Sequence, residues 1–287
     1  MMKDFHIHTY AAPGTDPRCQ EFFEAGQEAG VDGGNIISYA PAHFHTNPEK
    51  KFSWQIRLEQ LLDIVSQLPG YKPIFWFDPM EKDYAAQLDA CSAAGIRVIK
   101  VICSHYYPKD VLPQLQAVAD RGMNLMFHSG VIYAENCSSE YSRPLNFEAL
   151  MALRGCKISL AHLSWPWCEE CIALYGAFCW KRTVDPEAPE LFFDLTPGTP
   201  LNRRSHYLKM LYSMPYDLIH NVLWGSDGAV GCQDARRSFA GGVIYRELDR
   251  KIFAEIAQEK EFPACNPDGE DMFALTTGAN IERFMQK

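Results

Sequence analysis

The sequence predicts an α/β protein, a (β/α)8 TIM barrel, and three observations predict it. Eight short apolar runs recur in steps of 23 to 38 residues, close to the roughly 30 residues that a strand and its crossover occupy. The stretches between several of them carry apolar residues at helical spacing. Histidine or aspartate stands at the C-terminal end of four runs, the end at which barrel strands converge on one mouth.

In order, the runs are residues 3–8, 35–39, 73–77, 96–102, 124–128, 157–162, 191–195 and 221–225. Pro73 opens the third, a position where a missing backbone donor is tolerated. Residues 52–68 put Ile56, Leu58, Leu61, Leu62, Val65 and Leu68 near one helical stripe, and 111–119 and 147–153 also read as helices. Gly95, Gly122 and Gly155 fall just before the next run, where helix C-termini favour glycine. Residues 235–260 read as a longer helix, and 268–284 as a tail that caps the barrel. An open doubly wound sheet would also take eight strands, but the Gly-rich phosphate loop of its nucleotide-binding form does not follow the first run.

Composition bounds the rest. The chain has 287 residues, 47% hydrophobic and 13% aromatic, enough for one large core, so residues 1–287 are expected to form a single domain. A net charge of −9 and a pI near 5.5 argue against a nucleic-acid partner. No apolar run approaches the roughly 20 residues of a membrane span, and the first residues lack a leader's apolar stretch, so a cytoplasmic protein without a membrane partner is expected. The ten cysteines are scattered and several sit in apolar patterns, which suggests reduced thiols.

His6 and His8 end the first run, His128 the fifth and His162 the sixth, and Asp227 follows the eighth. Residues two apart on a strand share a face, so His6 and His8 point together into the mouth. With His128 and Asp227 they form an N/O donor set suited to zinc, and also to manganese, iron or cobalt. Such an ion lowers the pKa of water to about 7. Asp227 is placed to take that proton as well as to bind the ion. His162 is open to three roles: polarising a substrate oxygen, activating water, or binding a second ion. One histidine at a strand end is more often structural; the four strand ends together carry the reading.

His6-Ile7-His8, Phe127-His128-Ser129-Gly130, the segment from Ala161-His162 to Pro166-Trp167, and Trp224-Gly225-Ser226-Asp227 occur in this order. They resemble the amidohydrolase superfamily, and within it the amidohydrolase-related branch that includes amino-carboxymuconate-semialdehyde decarboxylase. The resemblance runs from the first strand to the tail at 277–284. It implies a distorted TIM barrel with one or two divalent metals. In the one-metal branch the residues matching His6, His8, His128 and Asp227 hold the ion, and the one matching His162 assists catalysis. In two-metal members a strand-4 lysine is carbamylated and bridges the ions, and the strand-6 histidine binds the second. Lys100 lies on the fourth run, although a substrate-facing or salt-bridged lysine is the favoured reading. The branch also contains decarboxylases and hydratases.

Weaker candidates surround these. Arg143, in the loop after the fifth run, is placed to hold a substrate carboxylate, with an ordinary loop salt bridge as the equal alternative. His43, His45 and His105 read as surface loop histidines at the mouth, and Trp165 and Trp167 as packing beneath a loop, with lining of the pocket as the alternative. Cys168 and Cys171 have a C-x-x-C spacing without a second pair, so two packed thiols are expected. The expected activity is hydrolysis of an amide, ester or lactone of a small molecule by one or two divalent ions, zinc first. Alternatives are decarboxylation or hydration of a carboxylated substrate, and a non-catalytic ligand-binding barrel. A homo-oligomer is left open.

Overall fold

The computed structural model describes residues 2–134, 137–259 and 271–287. All eight apolar runs are strands: β1 (Asp4–Thr9), β2 (Gly34–Ile37), β3 (Tyr71–Trp76), β4 (Val98–Val101), β5 (Asn124–Phe127), β6 (Lys157–Leu160), β7 (Glu190–Asp194) and β8 (Val222–Leu223). A ninth, β9 (Gly228–Val230), follows Asp227 and was not legible as an apolar run. Every pairing is parallel, in the order β8-β7-β6-β5-β4-β3-β2-β1-β9. The sheet closes on itself because β9 pairs with β1 through Ile7–Gly228 to Thr9–Val230, and because Phe5 N–H donates to Trp224 O, just past β8, at 3.0 Å. The result is a TIM barrel.

Parallel neighbours need crossovers, and the main ones are helical: α1 (Cys19–Glu28), α2 (Trp54–Ser66), α3 (Tyr84–Ala93), α4 (Leu112–Asp120), α5 (Cys168–Val184), α6 (Leu201–Ser213) and α7 (Ala235–Ile256). Local chemistry sets their ends. The Ser53 hydroxyl accepts from Ile56 N–H at the start of α2, and the Asp234 carboxylate accepts from Arg236 N–H at the start of α7. Gly95 and Gly122 stop α3 and α4 at φ +75° and +72°, where a side chain would be strained. The stretch read as a helix at 147–153 is instead a 3-10 helix over Pro144–Ala152. Its buried residues, Pro144, Phe147 and Leu150, recur every third position, the period of that tighter helix. Lys260 of the long expected helix, and residues 268–270 of the expected tail, lie outside the described residues.

Two apolar cores flank the sheet. The larger lies between the strands and the helices, and includes Ile7, Ile36, Phe75, Leu125, Phe193 and Phe239. The smaller fills the barrel and includes Phe5, Ile74, Met126, Phe192 and Leu223. The tail, ending in α8 (Met272–Ala274) and α9 (Asn280–Met285), inserts Ile281, Phe284 and Met285 into that interior. Phe284 packs edge-on against Phe5 at 5.2 Å and Phe192 at 5.1 Å. The tail thus closes the barrel floor, opposite the mouth. All nine described cysteines are free thiols, and Cys168 and Cys171 are buried. Among the described residues, no helix is long and apolar enough to cross a membrane.

Candidate metal centre at the barrel mouth

β1 opens the site. Its register with β2 shifts between Asp4 and Ile7, which takes three residues where β2 takes two. This extra residue lets Phe5 join the barrel interior while His6 and His8 also turn toward the axis, the re-aiming that a bulge produces. Asp4 fixes the turn: its Oδ1 accepts from His6 N–H at 3.1 Å and from Ser226 N–H at 3.0 Å. One carboxylate oxygen therefore ties the His6 backbone to the segment that carries Asp227.

His6 is fully buried, and its Nδ1 lies 2.7 Å from Asp194 Oδ2. A carboxylate there holds the proton on Nδ1 and leaves Nε2 as a bare donor. His6 Nε2 lies 3.1 Å from His8 Nε2. Asp227 Oδ1 lies 3.3 Å from His8 Nε2 and 3.8 Å from His6 Nε2. A point equidistant from three atoms at these separations is about 2.0 Å from each, the length of a bond to a divalent ion. The donor set and its spacing fit such an ion.

His162 joins from β6. One donor atom each from His6, His162 and Asp227 lie within 4.8 Å of one another. His162 Nδ1 donates to Pro197 O at 3.0 Å, so its Nε2 is the free nitrogen. His128 packs on His162 with ring centroids 4.9 Å apart, but its Nε2 donates to Val131 O at 3.1 Å, which leaves Nδ1 as its free nitrogen. The five residues singled out in the sequence thus gather at one mouth, with His6, His8 and Asp227 tightest and His128 at the edge.

The backbone is strained where the donors sit. His162 has φ +62°, Leu163 +46°, Ser164 +56° and Asp227 +58°, and each such residue costs of order 1–3 kcal/mol. Neighbours hold them there: Leu163 and Ser164 are fully buried, and Ser164 Oγ is 2.7 Å from Ser129 Oγ. Gly225 is required by close approach, since a Cβ there would fall 2.6 Å from His6 Cβ.

The charges respond to this packing. Burial, with the nearby Lys100 ammonium, pushes His6 well below the usual imidazole range. Burial and His162 do the same to His128. Burial lifts the Asp227 carboxyl, but the imidazoles of His8, His162 and His6 outweigh it and hold the acid below its ordinary value. Burial lowers the Lys100 ammonium to about 8 against the pull of Asp194 and Asp227. Both histidines therefore offer neutral nitrogens, the state in which imidazole binds metal.

The remaining candidates lie elsewhere. Lys100 is fully buried, with Nζ 3.4 Å from His6 Nε2, beneath the cleft rather than on its wall. Arg143 pairs with Glu170 through Nε at 3.0 and 2.9 Å, and lies over the Trp167 ring. Trp165 lines the cleft. His43 and His45 are half-buried, not surface side chains as expected from their loop; His105 is exposed. His43 Nδ1 is 2.8 Å from Asp78 Oδ2, and Ser104 Oγ sits 3.3 Å from His43 Nε2 and 3.0 Å from His105 Nδ1. This polar cluster braces the loops after β2, β3 and β4. Asp194 and Asp4 were missed in the sequence. Asp194 carried a signal close to that of His128, a polar residue one short of the end of an apolar run; Asp4 carried none, because its partner Ser226 is 222 residues away.

No protein-family model matches the chain, and no curated protein matches it. Among solved structures it is similar to a protein from Lactobacillus casei ATCC 334 described as a candidate metal-dependent hydrolase, with a TM-score of 0.60 at 12% identity over 99% of this chain and 95% of that one. It is also similar to 3-keto-D-glucoside 4-epimerase from E. coli, with a TM-score of 0.45 at 12% identity over 85% of this chain and 98% of that one. D-allulose 3-epimerase from Methylomonas sp. gives 0.43 at 12% identity over 87% and 98%. Likeness at these identities is likeness of fold.

Proposed function

We propose that this chain is a metal-dependent hydrolase of the amidohydrolase type, acting on an amide, ester or lactone of a small molecule. One observation carries the reading. His6 Nε2, His8 Nε2 and Asp227 Oδ1 form a triangle with edges of 3.1, 3.3 and 3.8 Å, a spacing at which a central divalent ion would be about 2.0 Å from each atom. His6, His8 and Asp227 would hold the ion, with His162 and His128 beside them, and zinc suits this N/O set best. A divalent ion supplies Lewis acidity and brings the pKa of water to about 7.

The chain's own residues do the rest. Asp194 keeps the His6 proton on Nδ1 and so keeps Nε2 turned to the ion. Asp227, held ionised by the surrounding imidazoles, accepts the proton of the attacking water and passes it to the leaving group. His162, with its Nδ1 proton on Pro197 O and its Nε2 lone pair facing the cleft, accepts a hydrogen bond from the attacking water and so orients it.

The test is metal content and turnover together. Purified protein is expected to carry close to one or two equivalents of a divalent ion, to lose esterase or lactonase activity to a chelator, and to regain it with zinc. Asp227→Asn is expected to lose both ion and activity while keeping its circular dichroism spectrum. A protein that stays ion-free and ignores added zinc and manganese would be a non-catalytic barrel instead.

A further inference from the structure

We infer that the substrate is an uncharged, ring-bearing ester, lactone or amide, held between aromatic side chains and without a carboxylate of its own. The inference takes the reacting bond from the hydrolase reading above, and takes everything else from the wall of the cleft.

The cleft above the donor cluster holds about 280 Å³, at the small end for ligand sites. Its wall is aromatic. Trp76 lies beside His8 with ring centroids 5.9 Å apart, and Phe44 extends that surface outward at 4.8 Å from Trp76. Tyr10 stacks on His8 at 6.2 Å, and Trp165 faces the same space. Two of the rings at the mouth are wet, Tyr10 at 64% exposure and Tyr133 at 89%, a grouping of exposed aromatics that marks a place for an apolar partner. A flat ring sliding between them gains both area burial and ring–ring contact.

Trp76 is 8% exposed and lines the cleft with its ring, its indole nitrogen being shut off from solvent. Cations are missing from the picture: no lysine or arginine is among the described residues that line the cleft. Arg143 is engaged by Glu170, and Lys100 is sealed beneath the donors. A substrate carboxylate away from the ion would be desolvated beside Asp227 with no counter-charge, which is costly.

The test uses the zinc-loaded, full-length protein and reads binding by tryptophan fluorescence, apart from turnover. The probes are dihydrocoumarin, the same lactone bearing a ring carboxylate, and an aliphatic lactone of similar size. Dihydrocoumarin is expected to bind about tenfold or more tightly than its carboxylated twin. Phe44→Ala and Tyr10→Ala are each expected to weaken it by about three- to tenfold, with zinc content and circular dichroism unchanged. Should Phe44→Ala unfold, Phe44→Leu is read in its place. Equal or tighter binding of the carboxylate or the aliphatic lactone, variants with wild-type affinity, or no binding at all would overturn the inference. If dihydrocoumarin binds with the stated preference but is not opened, the hydrolase reading fails while this one stands.

Discussion

Nδ1 of His6 sits 2.7 Å from Oδ2 of Asp194, and both side chains are fully buried. Asp194 also accepts from Thr196 N–H at 2.9 Å and from the Thr196 hydroxyl. The last residue of β7 is thus locked by its own loop and in turn sets the tautomer of a histidine on β1. Burial raises the Asp194 acid, while the Thr196 bond, His162 and Lys100 oppose that rise.

Asp194→Asn should therefore act through His6. The amide keeps the size but not the charge, so His6 loses its fixed tautomer and some basicity. Zinc affinity is expected to fall by about 10- to 100-fold, as for other partners of metal-bound histidine, with the fold intact. Competition with a chromogenic chelator measures it, and an unchanged dissociation constant would show that Asp194 is only structural.

Gly225→Ala tests the close approach of two strands. Its new Cβ would meet His6 Cβ at 2.6 Å and Thr196 Oγ1 at 2.7 Å, an overpacking worth about 1–3 kcal/mol. Zinc affinity should drop with stability, because His6 is what moves. Gly241→Ala is the control: like Gly225 it has no positive φ, and nothing lies within 4 Å of its added Cβ. Urea denaturation of the two variants should show the larger loss at Gly225 and a loss of zinc affinity only there.

Lys100 gives the metal-free protein a pH dependence. Its ammonium loses its proton at about 8 when folded, against 10.5 ordinarily. Between those values the unfolded chain binds the proton and the native one does not, so stability rises with pH from about 8 to 10.5 and is flat in this respect below. The full effect is roughly 3 kcal/mol. Lys100→Met, in chelator, should be the more stable protein at neutral pH and should lack that rise. A wild type and variant with parallel stability profiles across the window would contradict the burial account.

Phe284→Ala removes the ring that plugs the barrel floor. Loss of a fully buried phenylalanine costs about 3–5 kcal/mol, and here the cavity would open beneath Phe5 and Phe192. The thermal midpoint should fall, while zinc affinity at the opposite end changes little. A midpoint equal to that of wild type would mean that the tail contributes nothing to closing the floor.

The sequence by itself determined the barrel and the membership of its mouth. Apolar runs of strand length, each followed by a crossover, admit few arrangements, so His6, His8, His128, His162 and Asp227 were brought together by strand polarity alone. Only the tertiary structure decided which donors face one another, and at what distance. The bulge in β1 rotates His6 and His8 toward the axis, and β9 returns from Asp227 to pair with β1. Asp4 and Asp194 bind segments far away in the chain. Those are angles and separations between elements, set by packing and by the need to pair every buried polar group, and periodicity in a sequence reports direction along a strand but not distance across a fold.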